Sequence, residues 1–139
     1  MNVFDRLARI GVVPVVAIDD ANQALNLADA LAEGGLPLAE ITFRTVAAAE
    51  TIRKIAKGRP DFLVGAGTVI DADQIAASLE AGAEFALAPG TDPDMIALAK
   101  RASLPYSPGI ATPSDLQIAL RLGCRFLKFF PAGLLGGPK

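Results

Sequence analysis

Histidine is absent from the 139 residues, and cysteine occurs once, at Cys124. Without histidine there is no imidazole base, no serine- or cysteine-centred triad and no histidine-ligated metal site. A lone thiol excludes disulfides within the chain and thiolate zinc clusters. With Gly123 and Arg125 beside it, Cys124 reads as a small buried filler at a strand start. No apolar run reaches the roughly 18 residues that span a bilayer, and Met1 to Arg6 lacks the basic start and apolar stretch of a leader. Thirteen Lys and Arg against fifteen Asp and Glu leave a net charge of −2, scattered rather than gathered into a patch for nucleic acid or an anionic membrane. The expectation is a soluble, cytoplasmic protein without a metal or other cofactor. Its chemistry must use lysine, carboxylates, arginine, hydroxyls and backbone amides.

What is present is apolar and ordered in its alternation. Hydrophobic residues make up 52% of the chain and charged ones 20%, a composition that builds a sizeable core in one domain. Six strand-like runs are expected, at 12–18, 39–43, 62–64, 85–87, 104–106 and 125–130. Helical segments lie between them. Their starts are signalled by Asp19 or Asp20, by Asp71 with Gln74 three residues on, by Asp92-Pro93 and by Thr112-Pro113. Three junctions, around Gly34, Gly82 and Gly123, end a helix at glycine and run directly into a strand. Strands alternating with crossover helices make a parallel sheet. Six such units suit an open doubly wound sheet or part of an eight-stranded barrel. The absence of a hydrophobicity gradient and the polar or Gly/Pro loops after most strands favour the barrel. The expected fold is therefore α/β, a (β/α)8 TIM barrel with about its first six βα units in residues 1–139. Residues 133–139 read as a loop rather than a terminal element, so the single domain is expected to stop before its last two units.

Lys128 is the first candidate for chemistry. It stands in Arg125-Phe126-Leu127-Lys128-Phe129-Phe130-Pro131, where a bare cation is costly to bury. An amine that sheds its proton attacks carbonyl carbon; the plainer alternative is a strand-end lysine that snorkels to water. Alternation along a strand puts Glu40, Thr42 and Arg44 on one face, and Phe126, Lys128 and Phe130 on another. With both faces turned inward, Lys128 looks toward Glu40 and Arg44, desolvated between Phe126 and Phe130. A structural salt bridge accounts for any two of these charges. A site at the strands' carboxyl ends accounts for all three. In that case the amine forms an imine with a ketone, Glu40 shuttles protons and Arg44 grips the carboxylate of a 2-oxo acid. Gly65-Ala66-Gly67-Thr68 has only two glycines of a dinucleotide fingerprint and reads as a tight turn after the third strand, with Thr68 offering a hydroxyl. Pro89-Gly90 and Pro108-Gly109 read as loops that shape the pocket. Tyr106, the only tyrosine, has no assigned part.

These motifs together resemble the 2-dehydro-3-deoxy-phosphogluconate aldolases, including the bifunctional enzymes that also cleave 4-hydroxy-2-oxoglutarate. Val13-Pro14-Val15, Glu40-Ile41-Thr42-Phe43-Arg44-Thr45, Gly65 to Val69, Pro89-Gly90, Pro108-Gly109 and Lys128-Phe129-Phe130-Pro131-Ala132 follow the family's order. The resemblance covers nearly the whole chain. It implies a metal-free class I aldolase on an eight-stranded barrel, typically a homotrimer, with a small 2-oxo acid as substrate. Carried over, it implies Lys128 as the Schiff-base lysine and Glu40 as general acid and base. It makes Arg44 the carboxylate ligand, with Thr68, Pro89 and Phe130 lining the pocket. Gly133-Leu134-Leu135 departs from the glutamate often found after Pro-Ala, and the family's phosphate-gripping last two units have no counterpart here. The expected reaction is cleavage of 2-dehydro-3-deoxy-6-phosphogluconate to pyruvate and glyceraldehyde 3-phosphate. The alternatives are 4-hydroxy-2-oxoglutarate or the galactonate isomer as substrate, or a non-catalytic barrel that acts only by association.

Overall fold

The computed structural model describes residues 1–137. Strands β1 (Val15–Val16), β2 (Leu38–Thr42), β3 (Leu63–Gly67), β4 (Ala86–Leu87) and β5 (Tyr106–Ser107) form one parallel sheet in chain order, and β6 (Gly109–Ile110) pairs in parallel with β7 (Lys128–Phe129). Helices α2 (Ala24–Glu33), α3 (Ala48–Gly58), α4 (Ala72–Ala81), α5 (Pro93–Arg101) and α6 (Pro113–Arg121) are the crossovers, and α1 (Val3–Ile10) precedes them. The α/β class and its parallel order follow the expectation.

The helix starts are those the cap residues signal. Asp20 accepts from the Asn22 amide and opens a 3₁₀ turn, Ala21–Gln23, that runs into α2. Asp71, Asp92 and Thr112 accept from amides of the first turns of α4, α5 and α6. Gly35, Gly82 and Gly123 take positive φ just past helix ends, where any other residue would be strained. Helix α1 is outside the six-unit reading. Asn2 and Asp5 form a reciprocal capping box, and Gly11 ends the helix at φ 81°.

Strands differ in extent. The first, expected over 12–18, is ordered as a ladder only at Val15–Val16. It is an edge with a single neighbour, and Val12 and Val15 stay exposed. The fifth extends beyond 104–106, because Ser107-Pro108-Gly109 is not a loop. The chain stays extended through Pro108, pairing with β4 before it and with β7 after it. Proline has no amide to donate, so the ladder is interrupted there, but Pro108 O accepts from the Lys128 amide at 3.0 Å. The sixth strand is likewise shorter than 125–130, since only Lys128 and Phe129 find partners on Gly109 and Ile110. Residues 131–136 are turns, as expected of a loop; Pro138 and Lys139 lie outside the described residues.

Two apolar layers result. Outward residues Ala39, Ile41, Val64, Ala66 and Ala86 pack under Ala24 and Ala28 of α2, Ile52 and Ile55 of α3 and Ile75 of α4. Inward residues Leu38, Leu63, Phe85 and Leu87 gather around Leu7 of α1, with Phe4 stacked on Phe126 at 4.9 Å. Helix α1 thus closes the amino-terminal end of the strands. The sheet curves around this inner layer. Four strand spacings of about 4.8 Å separate β2 from β7, more than two side chains span if the sheet were flat. Nevertheless Glu40 on β2 meets Lys128 on β7.

Candidate active site

Strand β2 is buried at all five positions, so its alternation sorts residues between two interiors rather than between core and water. Ala39 and Ile41 face the helices. Glu40, 2% exposed, faces inward, and its Oε1 accepts from Lys128 Nζ at 3.1 Å. Lys128 is half-buried and its ammonium lies 5.4 Å from the centre of the Phe130 ring. The close pair is therefore lysine and glutamate, 88 residues apart in sequence, with an aromatic face over the amine. Phe126 does not sandwich the amine from the other side. It turns down to stack on Phe4 and fill the inner layer.

Thr42, fully buried, donates its hydroxyl hydrogen to Val16 O at 3.2 Å and accepts from Arg44 Nε at 3.3 Å. Arg44 lies beyond the strand, in the turn that follows it, and is exposed. It shares the Glu40 face only through the Thr42 hydroxyl, because the β2 ladder stops at Thr42. Thr45, one residue on, donates to Ile18 O and ties the same turn to the β1 side.

The tight turn expected at Gly65-Ala66-Gly67 is a strand instead: all three lie in β3, paired with Glu40, Ile41 and Thr42. Their hydrogen bonds to both neighbours require extended backbone, and the turn begins at Thr68. Thr68 adopts φ 57°, a left-handed conformation uncommon for a threonine and often found where backbone is held for function. It is half-buried and projects from the carboxyl end of β3. Pro89 is also half-buried, just after β4, and its carbonyl occupies the space that a Cβ on Gly109 would need. Gly109 N donates to Gly90 O at 3.0 Å and Thr91 Oγ1 donates to Gly109 O at 2.6 Å, which fastens the β4 and β6 ends together. Neither Thr68 nor Pro89 hydrogen-bonds to the Glu40–Lys128 pair. Arg44, Thr68, Pro89 and Phe130 all follow the carboxyl ends of parallel strands, the rim where such folds place ligands.

Sequence reasoning missed two contributors to this rim. Tyr106 lies on the helix side of β5, and its hydroxyl donates to Val69 O at 2.9 Å, next to the left-handed Thr68. Burial pushes its phenol up to about 12, with Asp92 adding to the shift, so it remains a donor at any ordinary pH. Gly67 is the second, and nothing local in the sequence distinguishes it from Gly65. Cys124 is half-buried ahead of β7, and burial raises its thiol above the usual range, which keeps it a poor nucleophile. A cavity of about 510 Å³ between α1, α5 and the turn entering β7 is lined by Phe4, Ile96, Lys100, Tyr106, Cys124 and Arg125, but by none of Glu40, Arg44 or Lys128. The Arg125 guanidinium there is engaged with Leu120 O and Cys124 O. Among the described residues there is no group of three His, Cys, Asp or Glu side chains placed to hold a metal ion, and no helix is long and apolar enough to cross a membrane.

A sequence model of the family described as KDPG and KHG aldolase matches residues 3–139. The 2-dehydro-3-deoxy-phosphogluconate aldolase of Haemophilus influenzae is 44% identical over 137 residues, covering 99% of this chain and 65% of its own length. The KHG/KDPG aldolase of Escherichia coli is 42% identical over 128 residues, 92% of this chain and 60% of that protein. Among solved structures, the 2-keto-3-deoxy-6-phospho-gluconate aldolase of Zymomonas mobilis superposes with a TM-score of 0.90 at 39% identity, over 99% of this chain and 66% of that one. A KDPG aldolase from Legionella pneumophila, with pyruvate captured as a covalent carbinolamine, gives 0.86 at 38% identity over 90% of this chain and 61% of that one. The chain thus spans about two thirds or less of the length of these relatives.

Proposed function

The chain belongs to the KDPG and KHG aldolase family, and from that premise we propose that it carries the imine-forming centre of a class I aldolase that cleaves 2-dehydro-3-deoxy-6-phosphogluconate to pyruvate and glyceraldehyde 3-phosphate. The observation that carries this reading is Lys128 Nζ at 3.1 Å from the buried Glu40 carboxylate. A lysine beside a general acid and base has what Schiff-base chemistry needs.

The unprotonated amine of Lys128 adds to the C2 ketone and gives a carbinolamine, the species captured with pyruvate in the Legionella pneumophila relative. Glu40, as its acid, protonates the carbinolamine hydroxyl. Water leaves and the protonated imine forms. Glu40, now a carboxylate, takes the proton of the C4 hydroxyl. The C3–C4 bond breaks as its electron pair moves onto the iminium, giving an enamine and free aldehyde. Returning that proton to C3 gives the pyruvate imine, and water then releases pyruvate and the amine. Arg44 binds the substrate carboxylate through two hydrogen bonds, its Nε steadied by Thr42. Thr68, Pro89 and Phe130 line the pocket at the strand ends, and the ring of Phe130 shields the amine from water. The site uses no metal or cofactor in this reading.

The same proposal gives the architecture: residues 1–139 form a six-unit arc of a (β/α)8 barrel. The assembly is a cytoplasmic homotrimer. The second substrate reading, 4-hydroxy-2-oxoglutarate, draws on the double name of the Escherichia coli relative. It needs the same imine and no phosphate site.

Incubation with pyruvate and borohydride, followed by mass mapping, is expected to place one pyruvate-derived adduct on Lys128 and none in Lys128→Ala. A folded protein without that adduct would remove both substrate readings. Cleavage rates on the phosphorylated and unphosphorylated substrates then separate the two.

A further inference from the structure

Strand β3 presents Leu63, Gly65 and Gly67 to the inner layer, and Val64 and Ala66 to the helices. The outward positions carry side chains. The two inward positions nearer the carboxyl end carry none, and in both another residue lies over the bare backbone. A Cβ on Gly65 would fall within 2.5 Å of the Phe85 ring. A Cβ on Gly67 would fall 2.6 Å from Glu40 Cγ and 2.8 Å from its Cδ, with Oε1 closer still. Oε1 is the atom that meets Lys128. The carboxylate therefore leans along β2 toward the strand ends and rests on the backbone of Gly67 on its way to the lysine.

We infer that Gly67 is a positioning residue for the Glu40–Lys128 pair: its missing side chain is what lets the carboxylate lie against β3 and reach the amine. This deepens the proposed function and rests on Glu40 being the proton shuttle. The backbone has little room to give instead. Gly67 pairs with Thr42, its carbonyl accepts from Phe43 N at 2.8 Å, and Val69 N donates to Leu87 O at 3.0 Å. A methyl at position 67 thus displaces the flexible carboxylate rather than the ladder. The lysine and the carboxylate-binding arginine stay where they are.

Exchange of the pyruvate methyl hydrogens for deuterium, followed by NMR in the full chain, reads the proton transfer without any cleavage step. Gly67→Ala is expected to slow that exchange on the order of 100-fold, the scale of a misplaced general base. Borohydride trapping on Lys128 at saturating pyruvate should continue. The deciding measurement is the double-mutant cycle with Glu40→Ala. Once the carboxylate is gone, Gly67→Ala should cost nothing more in exchange, and Glu40→Ala should restore any thermal stability that Gly67→Ala alone removes, because the methyl then fills vacated space. Additive losses in both exchange and stability would overturn the inference, as would a Gly67→Ala protein that exchanges at the wild-type rate. A wild type that neither traps nor exchanges pyruvate would defeat the aldolase reading instead. The stability cycle would then still decide whether Gly67 makes room for Glu40.

Discussion

Thr42 uses its hydroxyl twice, donating to Val16 O and accepting from Arg44 Nε, while the side chain itself is fully buried. Thr42→Val keeps the shape and removes both bonds. The expected result is a roughly fivefold rise in the pyruvate concentration for half-maximal borohydride trapping, the equivalent of one net hydrogen bond, with the saturating rate unchanged. A fall in the saturating rate instead would place Thr42 in the chemistry rather than behind Arg44. Glu40→Gln is expected to slow pyruvate hydrogen exchange by about 100-fold or more, measured by NMR, because the amide occupies the same space without accepting a proton. At this scale the sequence was legible where one period sufficed. Alternation along 39–43 put Glu40 and Thr42 on one inward face, and it failed at Arg44 because the strand ends before it. Gly67 was not legible at all. Its significance lies in a side chain that reaches it from another strand, which no local pattern encodes.

Helix α1 contributes Leu7, 1% exposed, to the layer formed by Leu38, Leu63, Phe85 and Leu87. Leu7→Ala is expected to cost about 2–5 kcal/mol in urea unfolding, since the rigid strand ends above it collapse little into the void. The signal for this helix was present as Asn2, Asp5 and Gly11. The helix follows no strand-like run, so it falls outside the alternation of strands and helices. Helix α6 shows the opposite balance, with good caps and few contacts. Its Asp115 carboxyl is held below the ordinary value near 3.8, chiefly by the Ala111 and Thr112 amides and also by the Thr112 hydroxyl. A carboxyl depressed in the folded state stabilises above its unfolded value, and that contribution is lost as pH falls through the folded one. Asp29, lowered by the Arg59 guanidinium, acts in the same direction. Asp115→Asn should therefore lower the urea midpoint near neutrality, where the carboxylate's contribution is fully present, and flatten the fall in stability below about pH 4. The helix starts were legible because each cap is a local bargain between a side chain and the next few amides. The lengths of the edge strands were not, since pairing depends on what stands alongside.

Across the whole molecule, Val15 on β1 and Phe129 on β7 are about half exposed, and Leu116 and Leu120 of α6 are open to solvent. Unpaired strand edges with apolar flanks invite association. The 139-residue chain expressed alone is expected to sediment as a concentration-dependent oligomer, and Phe129→Lys to shift it toward monomer. A monomer at all concentrations would show that these edges are tolerated in water. The parallel order was readable from alternating strands and helices, whereas the curvature became visible only in the meeting of Glu40 with Lys128. The Tyr106–Val69 hydrogen bond also has an optical side. With one tyrosine and no tryptophan, the protein's near-ultraviolet signal comes essentially from that single ring. The native fold thus carries an unlabelled reporter fixed to the backbone beside Thr68, and its ionisation should be centred at about 12 while folded and return to the ordinary tyrosine range on unfolding. Changes in its emission when pyruvate is added would watch the rim of the site respond.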